Sequence, residues 1–249
     1  PFHRVRRPLP SVPSDDVVPA EAEQTNKGVL VPSLSHLIDH TLLAPDARVA
    51  DIDRLCREAV DIGAAGVCVN PVHVARCAEN LKDEDVKVCA VVAFPFGASL
   101  SEVKACETRA AVRDGAQEVD MVINIGAAKD GRWDVVRDDV RAVVEAAGSR
   151  ATVKVILETC LLGDDEIVRA CRSARDAGAH FVKTSTGYSA HGATTRAVEL
   201  MRRTVGESMG VKASGGIRTP EDLAAMVAAG ATRIGASAGR ALLGGEARA

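Results

Sequence analysis

The chain has 249 residues and a mass of 26.0 kDa, with 47% hydrophobic residues, 2% aromatic residues and a formal net charge of -3. No uninterrupted apolar span reaches the ~18 residues a membrane-crossing helix needs. So small a charge and so few rings give nucleic acid neither an electrostatic footprint nor stacking platforms, which leaves a small-molecule partner for one large α/β domain.

Residues 1–33, rich in proline and charge and without the apolar segment of a signal peptide, read as a flexible N-terminal extension. Residues 34–249 read as a single domain in which β-branched runs alternate with helical patterns. The runs are "HLIDHTLL" (36–43), "AGVCVN" (65–70), "VKVCAVVAF" (86–94), "EVDMVIN" (118–124), "TVKVILET" (152–159), "HFVKTS" (180–185), "GVKAS" (210–214) and "TRIGAS" (232–237). Most are apolar at both alternations, as in parallel strands covered on both faces.

Between them lie helix signals. Ile52, Leu55, Cys56, Ala59 and Val60 fall on one helical face. Ser99 and Glu102 have the spacing of a capping box. In "TPEDLAAMVAAG", Thr219 caps, Pro220 suits the first turn and Gly230 ends the helix. Eight strands with intervening helices predict a (β/α)8 TIM barrel. The alternative is an open doubly wound sheet, but its glycine-rich nucleotide turn is missing after the first strand.

Seven cysteines (56, 68, 77, 89, 106, 160 and 171) form no C-x-x-C pair and read as reduced thiols of a cytoplasmic protein. Cys68 reads as a small core residue, with projection toward the cavity mouth as the alternative. His36 and His40 flank Asp39 at a spacing that would chelate zinc on a helix, but a strand separates them by two pleats. Neither a metal nor another cofactor is expected, and the two histidines are assigned packed or hydrogen-bonded roles.

Lys154, Lys183 and Lys212 each follow a valine on consecutive predicted strands, 29 residues apart (183 − 154 = 212 − 183 = 29). Barrel sites are built at strand carboxyl ends, so these amines converge on one cavity. Asp39, Asp120 and Glu158 are the acids expected to compensate them. A neighbouring cation and burial both disfavour an ammonium group. A lysine shifted from near 10.4 to about 7 would gain roughly a thousandfold in neutral amine, the form that attacks a carbonyl. Glycine-rich turns follow the last two strands, where such barrels bind phosphate. Gly215, Gly216, Gly235 and Ser237, with Gly187 from the preceding loop, are the candidate phosphate ligands.

In that order and at those separations, "EVDMVIN", "VKVILET", "FVKTSTG" and "GVKASGGIRT" resemble the deoxyribose-phosphate aldolase family of class I aldolases. The likeness runs from "LIDHTLL" to "IGASAG". It implies metal-free, reversible cleavage of 2-deoxy-D-ribose 5-phosphate to D-glyceraldehyde 3-phosphate and acetaldehyde in a TIM barrel. By position it makes Lys183 the Schiff-base lysine and Asp120 with Lys212 the proton donor/acceptor pair. Lys154 and Thr186 become supporting residues, and Asp39 a contact for sugar hydroxyls. Tyr188 stands where some members carry a second lysine, which weakens the expectation of a charged phosphate contact from that loop. "LLGGEARA" has no tyrosine of the kind seen at the end of some members, so tail-assisted proton transfer is not expected.

The competing readings are another Schiff-base aldolase or transaldolase acting on a ketose phosphate, and an inactive barrel that binds sugar phosphates. An intact Lys183, Asp120 and Lys212 set favours an enzyme. The outer helices suit a monomer or a homodimer equally well.

Overall fold

The computed structural model describes residues 34–244; the predicted extension and the last five residues lie outside them. Eight parallel strands close into one barrel in sequence order: β1 (Ile38–Leu42), β2 (Gly66–Val69), β3 (Lys87–Val92), β4 (Glu118–Val122), β5 (Thr152–Ile156), β6 (Phe181–Lys183), β7 (Gly210–Ser214) and β8 (Arg233–Ala236). Pairing of β1 with β8, Asp39 opposite Gly235, completes the ring and excludes the open sheet.

Each strand sits inside its sequence run. The runs at 86–94 and 152–159 end early because Ala93 and Glu158 take positive φ angles of 51° and 57°, which break the pleat. Before β1 the chain makes a 3-10 turn over Leu34–Leu37, so His36 precedes the strand.

The helices are α1 (Val49–Ile62), α2 (Val74–Asn80), α3 (Ser101–Arg113), α4 (Ile125–Lys129), α5 (Trp133–Ala147), α6 (Asp164–Asp176), α7 (Thr195–Val205), α8 (Pro220–Ala228) and α9 (Gly239–Leu242). In α1, Ile52, Leu55, Cys56 and Ala59 are buried as the spacing predicts, while Val60 sits at the edge of that face. The Thr219 hydroxyl accepts from the Asp222 amide at 3.1 Å, and the Asp222 carboxylate accepts in return from the Thr219 amide, so α8 starts where its sequence says. The Ser99–Glu102 capping box does not form. Helix α3 begins at Ser101 behind Leu100, and the Ser101 hydroxyl instead donates to Asp139 on α5 at 2.8 Å.

Side chains alternate across the strands, and the two faces differ in chemistry. Val67, Val88, Val119, Val153, Val182, Val211 and Ile234 point outward into a continuous apolar core shared with the helices. The inward set includes Asp39, Asp120, Lys154, Lys183 and Lys212, all buried, beside a small cluster of Leu43, Cys68, Cys89 and Val91. The apolar shell between sheet and helices therefore holds the fold, and the lumen is left to charge. Between α3 and α5 the buried Lys104 ammonium donates to Asp139 at 2.6 Å and to the Val122 carbonyl at 2.8 Å. Among the described residues no helix is long and apolar enough to cross a membrane.

Candidate active site

Strand register brings the three lysines together. Asp120 lies opposite Lys154 across the β4–β5 pair, and Lys183 lies opposite Lys212 across β6–β7. Asp120 is the hub: Oδ2 accepts from Lys183 Nζ and from Lys212 Nζ, both at 2.7 Å, and Oδ1 accepts from Lys154 Nζ at 2.8 Å. Lys212 also donates to Asp39. Asp39, Asp120, Lys154 and Lys212 are inaccessible to solvent, whereas Lys183 retains 3% exposure.

Burial opposes ionisation of Asp120, but attraction from Lys154, Lys183 and Lys212 outweighs it and holds the carboxyl well below the usual range. Burial likewise opposes the charge on Lys212 and on Lys154. Asp120 dominates both, with Asp39 adding to it, so the two ammonium groups are held above the ordinary lysine value. These two lysines thus differ from the depressed amine that clustering of cations alone predicts, because each shares carboxylates with its neighbours.

Two further residues complete the network, and neither stood out in the sequence. Glu118, first residue of β4, is in ion-pair contact with Lys154 at 2.5 Å. Arg233, first residue of β8, donates to Glu118 at 2.5 Å and to Asp39 at 3.2 Å, with its guanidinium 5.9 Å from the centre of the Phe181 ring. Lys212 and Arg233 thereby engage the two Asp39 oxygens, and Asp39 does not line the cavity above Lys183. Glu158 does not compensate the lysines. Its left-handed backbone turns the carboxylate toward Thr186, whose amide and hydroxyl both donate to it.

Above Lys183 opens a cavity of about 380 Å³. Thr186, Gly187, Gly215, Gly216, Gly235 and Ser237 line it with Lys183, as do Tyr188 and Arg218. Gly215 needs its missing side chain: φ is 82°, and a Cβ would lie 3.0 Å from Gly192 Cα and 3.3 Å from Gly187 Cα, so two loops meet backbone to backbone. At Gly235 a Cβ would lie 3.1 Å from Lys212 Cε and 2.9 Å from Ser214 Cβ. Gly235 therefore makes room for the lysine stem as well as bordering the cavity. Tyr188 brings no charge and packs edge-on against Phe94, with ring centres 5.3 Å apart; Arg218 supplies the cation at the rim. A larger groove of about 890 Å³ runs along α3 beside Phe94, Phe96 and Val103, and no lysine of the cluster borders it.

Cys89 donates to Asp120 Oδ1 at 3.1 Å and Cys68 points at Oδ2 from 4.0 Å, both fully buried. Burial, the Cys68 hydrogen bond and the Asp120 charge push the Cys89 thiol well above its ordinary value. In the same pair the hydrogen bond with Cys89 pulls Cys68 down, against its burial. The atoms of Cys68, Cys89 and Asp120 lie within 4.8 Å of one another, a metal-like spacing. Asp120 already receives three ammonium groups, so an added cation would be repelled there. His40 Nε2 pairs with Glu58 at 2.9 Å, and among the described residues no histidine contacts Lys154, Lys183 or Lys212.

The comparisons agree with this geometry. The chain is 63% identical over 211 residues to deoxyribose-phosphate aldolase 1 of Cutibacterium acnes, covering 85% of this chain and 97% of that relative. It is 56% identical over 214 residues to deoxyribose-phosphate aldolase of a Geobacillus species, covering 86% and 96%. A solved tetrameric deoxyribose phosphate aldolase from Aeropyrum pernix superposes with a TM-score of 0.80 at 37% identity, over 85% of this chain and 89% of that one. The DeoC/LacD family aldolase model matches residues 34–244. With one carboxylate shared by three lysines under a glycine-lined cavity, and with relatives this similar along the whole described length, the chain belongs to the DeoC/LacD aldolase family.

Proposed function

We infer that the chain is a class I aldolase that reversibly cleaves 2-deoxy-D-ribose 5-phosphate to D-glyceraldehyde 3-phosphate and acetaldehyde, with Lys183 forming the Schiff base. The relatives named deoxyribose-phosphate aldolase support the substrate. The observation that carries the role of Lys183 is its place: of the three lysines on Asp120, it alone borders the cavity.

In the cleavage direction the neutral Lys183 amine adds to the C1 aldehyde, and loss of water gives a protonated imine. Asp120, held as a carboxylate, takes the proton of the C3 hydroxyl directly or through a water held with Lys212. The C2–C3 bonding electrons move to the imine, which becomes the enamine of acetaldehyde. Glyceraldehyde 3-phosphate leaves. Lys212, held as an ammonium group, returns a proton toward C2, and water hydrolyses the imine to acetaldehyde and free amine. Lys154 and Asp39 fix Asp120 and Lys212 from below. Glu158 fixes the loop at Thr186, and Gly187, Gly215, Gly216, Gly235 and Ser237 surround the phosphate, with Arg218 as its charged partner.

Residues 34–249 are assigned to this one catalytic domain and residues 1–33 to an extension. A cytoplasmic, reducing setting accords with seven unpaired thiols. A homodimer accords with exposed Phe96, Leu100 and Val103 on one flank, and light scattering tests it.

Borohydride reduction in the presence of acetaldehyde tests the central claim. A stable two-carbon adduct is expected on the peptide containing Lys183. An adduct confined to Lys212 or Lys154, or none, overturns it, and cleavage of the sugar phosphate without acetaldehyde as product rejects the reaction.

A further inference from the structure

The lumen holds more positive than negative groups. Its cations are Lys154 on β5, Lys183 on β6, Lys212 on β7 and Arg233 on β8; its carboxylates are Asp39 on β1 and Glu118 and Asp120 on β4. From β2 and β3 come Cys68 and Cys89, whose S–H groups are directed at Asp120 and which enter the count as neutral donors. Toward the mouth, Arg218 borders the same cavity as Lys183, while Glu158 is occupied by Thr186.

We propose that Arg233 and Glu118, which meet at the closed end of the barrel, set the charge balance of the lumen and thereby decide how readily Lys183 gives up its proton. Neither residue borders the cavity, so both are positioning residues.

The lysines and carboxylates of this lumen are buried, and the Arg233 side chain is 13% exposed at the closed end. Four cations against three carboxylates leave one positive charge without a partner, and an unpaired buried charge is costly. The excess disappears when one cation loses its proton. Arginine does not lose its proton in a protein. Lys154 contacts three carboxylates, Asp39 at 3.8 Å, Glu118 at 2.5 Å and Asp120 at 2.8 Å, and Lys212 contacts two. Lys183 has one carboxylate, Asp120, which it shares, and of the three lysines only Lys183 has an exit to solvent for the proton. Arg233 thus supplies the surplus charge that the lumen sheds at Lys183. Glu118 cancels part of that charge and keeps Lys154 charged.

The inference rests on Lys183 being the Schiff-base residue, and three variants test it together through the pH dependence of kcat/KM and of borohydride trapping. Arg233→Met leaves three cations on three carboxylates, so the acidic limb of both profiles is expected to move up by about one pH unit. Glu118→Gln leaves four on two, and the limb is expected to move down by a similar amount. Arg233→Met with Glu118→Gln leaves three on two, restores the single surplus charge and returns the limb toward its original position. Opposite shifts with restoration in the double variant support the proposal. Shifts of the same sign, no shift, or a double variant displaced further than either single one overturn it, since mere loss of packing moves no limb in opposite directions. Should Arg233→Met not fold, Glu118→Gln against the double variant still decides the sign. Trapping of wild-type protein at another lysine would instead refute the role of Lys183, so the two failures are distinguishable.

Discussion

Asp120 accepts from three ammonium groups, so its charge serves both chemistry and the lumen. Asp120→Asn is expected to lower kcat by about 10²–10⁴-fold. It is also expected to lower Tm, because three cations lose their common counter-charge; steady-state kinetics and a melt read the two effects separately. A variant that keeps full activity would remove Asp120 from the scheme. Gly235→Ala tests the fit of Lys212. The new methyl would crowd Lys212 Cε and Ser214 Cβ, and displacement of the ammonium group by a few tenths of an ångström is expected to cost roughly tenfold in kcat with a smaller effect on KM. The key residues differed in how visible they were along the chain. Lys154, Lys183 and Lys212 stand out because the βα repeat spaces them evenly on strand interiors. Glu118 and Arg233 escape notice because each is the first residue of its strand, where a charge ordinarily meets solvent; closure of the barrel turns both inward. Glu158 misled in the opposite way, since strand alternation does not extend past a residue in the left-handed region.

Among the elements, the eight strands and the helices α1 and α8 were readable because β-branched runs, a 3.6-residue period and a capping pattern are local signals. Helix α4, five residues long, has too little sequence to show a period. The start of α3 depended on a distant partner: Asp139 draws Ser101 and Lys104 into one buried junction, and no local pattern at Ser99 reveals that. This junction predicts a large effect. Lys104→Met leaves Asp139 buried without its cation and is expected to cost about 3–5 kcal/mol in denaturant unfolding. Adding Asp139→Leu is expected to return much of that loss, since the charge left behind, rather than the missing contact, is the main cost. Burial holds the Lys104 ammonium below the ordinary lysine value despite Asp139, so its titration adds stability as pH rises from the folded value to the unfolded one, opposite in sign to Lys154 and Lys212.

For the whole molecule, the lumen acts on stability through pH. Asp39 and Asp120 are both held below their unfolded values, so they contribute stability that is fully present above the unfolded carboxyl range and lost only as pH falls through the still lower folded values. Lys154 and Lys212 are held above theirs, and their contribution is present below the unfolded lysine range and lost as pH climbs past it. The contribution of these four groups to Tm is therefore expected to be flat between about pH 5 and pH 9. Comparing the melts of Lys183→Met and of Lys183→Met with Asp120→Asn across that range checks this without the Lys183–Asp120 pair. A difference in Tm that shrinks steadily toward pH 9 would mean that Lys154 and Lys212 are not held charged.

The narrow opening over the lysine cluster has a practical outcome. Three amines share one carboxylate, yet an incoming electrophile can touch just one of them, because Lys154 and Lys212 are sealed beneath it. The protein is in effect a holder with a single reactive hook. Small synthetic aldehydes bearing a reporter should attach at one site per chain, leaving the lysines outside the lumen largely unmarked.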